Sequence, residues 1–472
     1  MMRRPIHSTL LLALLAVVTT GVAGYFYPWP EVEKVDDKVN QPVFAGFETS
    51  QVRSIEITRF NSDRQMLERI LVSRKGEKWV LPNAANYNAN NAAQIARAIN
   101  SLVDRKVLEL ISDEQQDHLK NGVVDPDEFQ AVESRGGLGQ KITLKDRNGQ
   151  SLASLIVGSP LENSQEQSLY CVRIAGQPQV YSVQFDIGAL TTRFQDWVDP
   201  NLMRLRTQQF ADGQSLNSVS VNSYRFEPAK LVEEVGRTDL YQALLAPIEG
   251  KIALRELKIP DGDTWKSLTP NEAQTRQLMT GLNELAVLTF GEVRPKPQPL
   301  ADALKTTTVQ GDTAIFESMI EMGIKQTGKS GEPVQFLSTS GQLTVRTSAR
   351  VNVTLHIGNI TGSAQAGAKL SRMMLVFATT NNDELIKPEL PKNADESPLT
   401  EDQQKAYQRE LDSWTANLKA AEQSAAELNL LHSPWYYALS DEVYSRLIPE
   451  LSDLPVATTP AAARSSSQEL GQ

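Results

Sequence analysis

The sequence predicts an α+β protein: an N-terminal transmembrane helix followed by two repeated sheet-plus-helix domains, the second with a helical insertion in heptad spacing. Three observations carry this expectation. Gly76-Glu-Lys-Trp-Val-Leu-Pro82 returns as Gly262-Asp-Thr-Trp-Lys-Ser-Leu-Thr-Pro270, and each copy runs into an amphipathic segment. Each then reaches a pair of alternating strands closed by Val157-Gly158 or by Ile357-Gly358. Ahead of both, Ile6 to Tyr27 carries no charge unless His7 is protonated, and about twenty apolar residues cross a bilayer as a helix. The chain divides accordingly into an anchor (1–28), a linker (29–48), a first repeat (49–206), a second repeat (207–455) with its insertion at 383–432, and a disordered tail (456–472).

Arg3 and Arg4 precede the apolar run, while Tyr25, Tyr27 and Trp29 sit at its far end, where an aromatic belt meets the headgroups. With the arginines held inside, everything beyond Pro30 faces outward. A cleaved signal peptide is the competing reading, because Val22-Ala23-Gly24 offers small residues for cleavage. Either one exports the bulk of the chain. The linker, with Pro28, Pro30, Pro42 and the charges from Glu31 to Lys38, holds too few apolar residues to fold alone.

From Gln51 to Phe60 the residues alternate as in a half-buried strand, and Leu67 to Ser73 reads as a second. Trp79 and Leu81 share one face of a third. Pro82-Asn83 breaks it, and Asn88 or Asn90 caps a helix whose stripe is Ala92, Ile95, Ile99, Leu102 and Val103. That stripe is expected on the Trp79 face of the sheet. Asp125-Pro126-Asp127-Glu128 places carboxylates together, which suits a hard cation or acid/base work, but Asp-Pro followed by acids is also how a turn or helix start is written. Lys141 to Val157 is a hairpin with Asn148-Gly149 at its tip. Leu169–Ile174 and Gln179–Val183 add strands, and Phe185 to Val198 closes the unit as a mixed helical segment.

The second copy opens at Ser215. Thr269-Pro270-Asn271-Glu272 reads as a capping box, and Leu278, Leu282, Leu285 and Leu288 supply the stripe that follows. Gly341–Arg346 and Val351–Gly358 repeat the hairpin, Arg372–Thr379 stands for Leu169–Ile174, and Trp435–Leu439 with Glu442–Leu451 closes the copy. Within the insertion, Tyr407, Leu411, Trp414, Leu418, Ala421, Ala425 and Leu428 alternate spacings of four and three, a heptad seam. Two readings stand: an amphipathic helix lying on its own domain, or a partner-binding coiled coil. Tyr407, Leu411, Trp414 and Leu418 are the candidate partner-binding residues.

The 472 residues carry a formal net charge of -10 and a pI near 5.2, which argues against a nucleic-acid partner. Cys171, the only cysteine, permits neither an internal disulfide nor an all-cysteine metal site. His7, His118, His356 and His432 show no metal-ligand spacing, and neither a Gly-x-Ser-x-Gly elbow nor a phosphate-cradling loop occurs. The cluster Gly136-Gly137-Leu138-Gly139 precedes a strand, whereas the dinucleotide fingerprint follows one. No catalytic residue, metal or cofactor is expected, although a triad assembled from distant positions stays open.

Gly76, Trp79, Leu81, Gly158, Tyr170, Val172, Arg173, Val180 and Tyr181, over about Arg53 to Val198, carry a resemblance to the domain of unknown function 4340 family. The second copy resembles a diverged version that keeps Trp265, Leu268 and Gly358 but has Leu375-Val-Phe for Tyr-Cys-Val-Arg. The resemblance implies a single-span, outward-facing protein beside gliding-motility-type ABC transporter components, and it supplies no catalytic residues. The expectation is a non-catalytic accessory or scaffold protein of the cytoplasmic (inner) membrane, its bulk in the periplasm, with an envelope partner such as a transporter permease or accessory subunit. The alternatives are an exported ligand- or polymer-binding module and an exported hydrolase.

Overall fold

The structure, a computed structural model, describes residues 38–44, 46–130, 135–161, 168–206, 213–249, 251–285, 288, 290–361, 370–392, 398–452 and 454. The expected membrane helix, its flanking Arg3, Arg4, Tyr25, Tyr27 and Trp29, and the tail lie outside them. Among the described residues no helix is long and apolar enough to cross a membrane.

Alternating apolar residues build two large antiparallel sheets. The first uses β1 (Ser54–Asn61), β2 (Met66–Lys75), β3 (Lys78–Leu81), β4 (Tyr87–Asn88), β5 (Glu109–Ser112), β6 (Gln140–Lys145), β7 (Ser151–Pro160), β8 (Leu169–Ile174) and β9 (Val180–Gln184). Its order is β4-β3-β2-β1-β6-β7-β8-β9-β5. The second uses β10 (Leu216–Phe226), β11 (Arg237–Ile248), β12 (Lys251–Asp261), β13 (Thr264–Ser267) and β14 (Glu292–Pro295). After a small pair, β15 (Ile324–Gln326) and β16 (Phe336–Ser338), it continues with β17 (Gln342–Thr347), β18 (Val351–Thr361), β19 (Ser371–Thr380) and β20 (Trp435–Ser440). Its order, β13-β12-β11-β10-β17-β18-β19-β20-β14, repeats the first strand for strand.

The register shows how deep the repetition goes. Ile57 faces Ile142 as Val221 faces Leu343, and Val172 faces Tyr181 as Met374 faces Tyr437. Both copies slip register at an equivalent place, between Val157 and Pro160 and between Ile357 and Ile360. These slips put Gly158 and Gly358 at equivalent bulges, where backbone from another segment presses in. A Cβ on Gly158 would strike the Asn121 carbonyl, and one on Gly358 the Met322 carbonyl. Main chain cannot step aside as a side chain can. Gly358→Ala should therefore lower stability by about 2–3 kcal/mol in urea titrations, whereas Gly136→Ala, with open space around it, should change little.

Three expectations need correction. Trp79 and Trp265 are not equivalent: Trp79 is on the third strand out from the centre, and Trp265 is on β13, the fourth and outermost. The cause is β12, whose 11 residues stand where β3 has 4, which pushes the Trp motif outward by one strand. The strand standing for Tyr170-Cys-Val-Arg reads Arg372-Met-Met-Leu once the bulges are aligned, so the substituted residues begin at Arg372, not at Leu375. The helix starts also shift. In α1 (Ala92–Asn100) Asn91 is the cap, accepting from the Gln94 N–H; in α2 (Glu272–Leu285) Asn271 and Gln274 exchange the reciprocal bonds expected of Thr269 and Glu272.

Ile95, Ala98, Ile99 and Leu102 bury the stripe of α1 in the main core, against which Trp79 packs half-buried. The Phe185–Val198 segment forms two short 3-10 turns, Ile187–Leu190 and Phe194–Trp197, and closes over α1 through the Gln94 side chain bonded to the Ala189 carbonyl. Residues 38–44, read as linker, are docked on this unit: Val39 bridges Val107, Pro42 bridges Lys106, and Val43 is buried.

The second sheet is covered on both faces, which explains the continuous apolar run of β19. Met373, Leu375 and Phe377 meet a layer from residues 298–338 that contains α3 (Gln298–Ala303), Leu304, Phe316, Met319 and Phe336. Met374, Val376 and Ala378 point the other way, into the main core beneath α4 (Glu401–His432). The chain then enters β20 and ends its described part after α5 (Asp441–Leu447). One core runs unbroken through both halves.

Candidate functional site

Two structural devices occupy the places where chemistry was conceivable. On the outer face of the first sheet, ion pairs run Lys145–Glu56 (2.7 Å), Glu56–Arg69 (3.5 Å), Arg69–Asp127 (2.5 Å), Asp127–Lys141 (3.0 Å) and Lys141–Asp125 (2.7 Å). Burial pushes the Asp127 carboxyl up, but bonds from Lys141 and Arg69 outweigh it and hold the group below the ordinary carboxylate range. The Asp125–Glu128 segment is thus a 3-10 start pinned to strands β6 and β2, with the Lys141 ammonium seated between both carboxylates. A cation already fills the place a metal would take.

The second device lies between the halves. Tyr87 of the first sheet meets Trp435 (5.1 Å), Phe290 (5.9 Å) and Tyr437 (6.4 Å), each edge to face, and Phe194 meets Phe290 at 5.5 Å. His432, fully buried, bonds the Tyr437 hydroxyl through Nδ1 (2.7 Å) and the Leu202 carbonyl through Nε2 (2.8 Å). Beside it the buried Lys296 amine donates to the His432 and Trp435 carbonyls and lies 4.6 Å above the Tyr436 ring. Burial drives the Lys296 amine far below its usual value and the His432 imidazole down to about 3. These groups bond backbone carbonyls and each other's neighbours, and so form a buried polar seam.

The remaining titratable candidates are also structural. His118 bonds the Pro178 carbonyl at 2.7 Å, His356 is buried beside Phe336, and the buried Cys171 thiol is pushed up by burial. Among the described residues no group of three His, Cys, Asp or Glu side chains could hold a metal.

That leaves α4 as the candidate interaction site. Thr400 and Gln403 form its capping box, and 32 residues at about 1.5 Å each make a rod near 48 Å. Its two ends differ. Ala421, Ala425 and Leu428 are buried on the second sheet, and Asn429 bonds both the N–H (2.8 Å) and the carbonyl (2.9 Å) of Ala378, which fixes the helix against β19. Leu418 packs on the same core, so this half of the seam belongs to its own domain. Further out, the Trp414 indole donates to the Leu385 carbonyl (2.9 Å) with Lys387 5.8 Å from its ring, beside a shallow cleft of about 410 Å³. Tyr407 and Leu411, next along the seam, are half-buried, while Ile386 on the neighbouring strap is 77% exposed. The spacing of the apolar residues singles out these positions, without a signal that full burial would be confined to the inner half of the seam.

A family model described as domain of unknown function (DUF4340) matches residues 79–305. These residues belong to the DUF4340 family. No curated protein and no solved structure matches the chain. The DUF4340 match opens at Trp79, runs across the junction between the sheets and stops just past α3. The small β15–β16 pair, strands β17 to β20 of the second sheet and all of α4 lie beyond the DUF4340 boundaries.

Proposed function

We propose that this chain is a membrane-anchored, outward-facing, non-catalytic accessory or scaffold protein of an ABC-type envelope transport system. In this reading the outer half of α4 is the surface offered to a protein partner. The observation that carries it is the division of α4: an inner half buried on its own sheet, and an outer half whose seam residues Tyr407 and Leu411 stay partly exposed. The uncharged run from Ile6 to Tyr27 behind Arg3 and Arg4 supports the anchoring. DUF4340 membership is consistent with the reading and names no activity.

The test is affinity purification of the full chain from detergent-solubilised membranes, wild type against a Tyr407→Ser/Leu411→Ser variant. Both should fractionate with membranes. A multi-span permease should be recovered with the wild type and fall by roughly tenfold with the variant, as for interface anchors. Equal recovery from both, or a freely soluble full chain, would sink the reading. Deleting residues 400–431 is a poor test, because it also removes Ala421, Ala425 and Leu428 from the core.

A further inference from the structure

A second cleft, of about 560 Å³, opens where the ends of β10 and β18 approach α5. Its wall includes two arginines held in different ways. Arg372 is fixed: its guanidinium lies 4.0 Å from the Tyr444 ring, Nε donates to Asp441 Oδ1 (3.0 Å), and Nη1 donates to Ser340 Oγ (2.9 Å). Ser340 Oγ in turn donates to the Gly358 carbonyl (2.9 Å), and the Tyr444 hydroxyl donates to the Ser340 carbonyl (3.2 Å). Only 16% of the Arg372 side chain is exposed. Arg225 instead pairs with Glu450, whose side chain is 81% exposed and free to swing into water.

The fold does not require these cations. Counting from the aligned strands and bulges, the first half has Tyr170 where Arg372 stands, Asn61 where Arg225 stands and Gly139 where Ser340 stands. It builds the same strands and the same bulge without a positive charge at this place. Two guanidiniums, one stacked and doubly bonded, are then a feature of the second half alone, and a stacked fork is how arginine is preorganised for an oxyanion.

We propose that this cleft binds a carboxylate carried on a short aliphatic group, the chemistry of a peptide C-terminus. Both arginines already take carboxylates from their own chain, so the geometry suits that group. A ligand carboxylate displaces the exposed Glu450 from Arg225 and leaves the Arg372–Asp441 pair in place. Phe226 and Ile360, the latter 50% exposed, supply an apolar wall beside the charged end. The volume falls within the range of small-ligand sites.

The detergent-solubilised full chain is titrated with N-acetyl-leucine and, in parallel, with N-acetyl-leucinamide, following heat and the arginine Nε–Hε resonances. Saturable binding of the acid at about 1–10 mM is expected for a ligand of that size, with the amide roughly tenfold weaker. R225Q removes an exposed side chain, so its thermal midpoint should hold while affinity for the acid drops about tenfold. R372K keeps the charge but loses the stacked fork, and should weaken binding comparably. Absence of saturation, equal binding of acid and amide, or wild-type affinity in R225Q would each overturn the proposal.

Discussion

Lowering the pH from 7 to 5 should remove about 4 kcal/mol of unfolding stability, most of it through two imidazoles. His356 and His432 are buried, and burial lowers both to about 3 from an ordinary 6.5. Above pH 6.5 both are neutral, folded or unfolded, and contribute nothing to the pH dependence. Below it the unfolded chain takes up two protons that the folded chain refuses, so proton binding pulls the equilibrium toward unfolding. The loss continues until pH approaches 3, where the folded imidazoles would themselves charge. His356 Nδ1 has no hydrogen-bond partner among the described residues, and the cation that acts on His432 from Arg204 opposes charging of its ring. Urea titrations at several pH values give the slope, and His356→Leu should make it shallower. A stability that stays level between pH 7 and 5 would contradict this account.

Tyr437→Ala should cost about 4 kcal/mol, among the largest effects of any single truncation. The ring has no exposed surface and touches Phe290 at 5.0 Å, while its hydroxyl bonds His432. Truncation leaves a cavity and an unpaired imidazole nitrogen together. Because Tyr87 on the other sheet borders the same cavity, Tyr87→Ala and Tyr437→Ala should fall short of additivity by about 1 kcal/mol in a double-mutant cycle. Full additivity would mean that the two halves do not share this packing unit.

What the sequence revealed and what it concealed divide on physical lines. Short apolar runs bounded by turn signals were readable as strands even where both faces are buried: Leu169–Ile174 lies at its predicted bounds, and β9 begins one residue late. The closing of the two halves by Val157-Gly158 and Ile357-Gly358 was visible as a pattern, although its cause, carbonyls of distant segments pressing on both glycines, was not. Trp265 misled because a matching string of residues says nothing of how many strands precede it, and the long β11–β12 hairpin moved it to the edge. The layer from 298 to 338 escaped notice since its apolar residues follow no period. The cleft arginines were invisible for a related reason: Arg225 and Arg372 lie 147 positions apart in the chain and become neighbours only through strand order.

The rod formed by α4 has a mechanical consequence. Its inner end is held at His432, whose ring bonds the Leu202 carbonyl of the segment leading from one sheet to the next, while the residues of its first turns are largely exposed. A stiff shaft seated along half its length turns a load on the other half into leverage on the seat. A load on the outer half would therefore be felt, through Asn429 and His432, at the seam where the duplicated halves share their core.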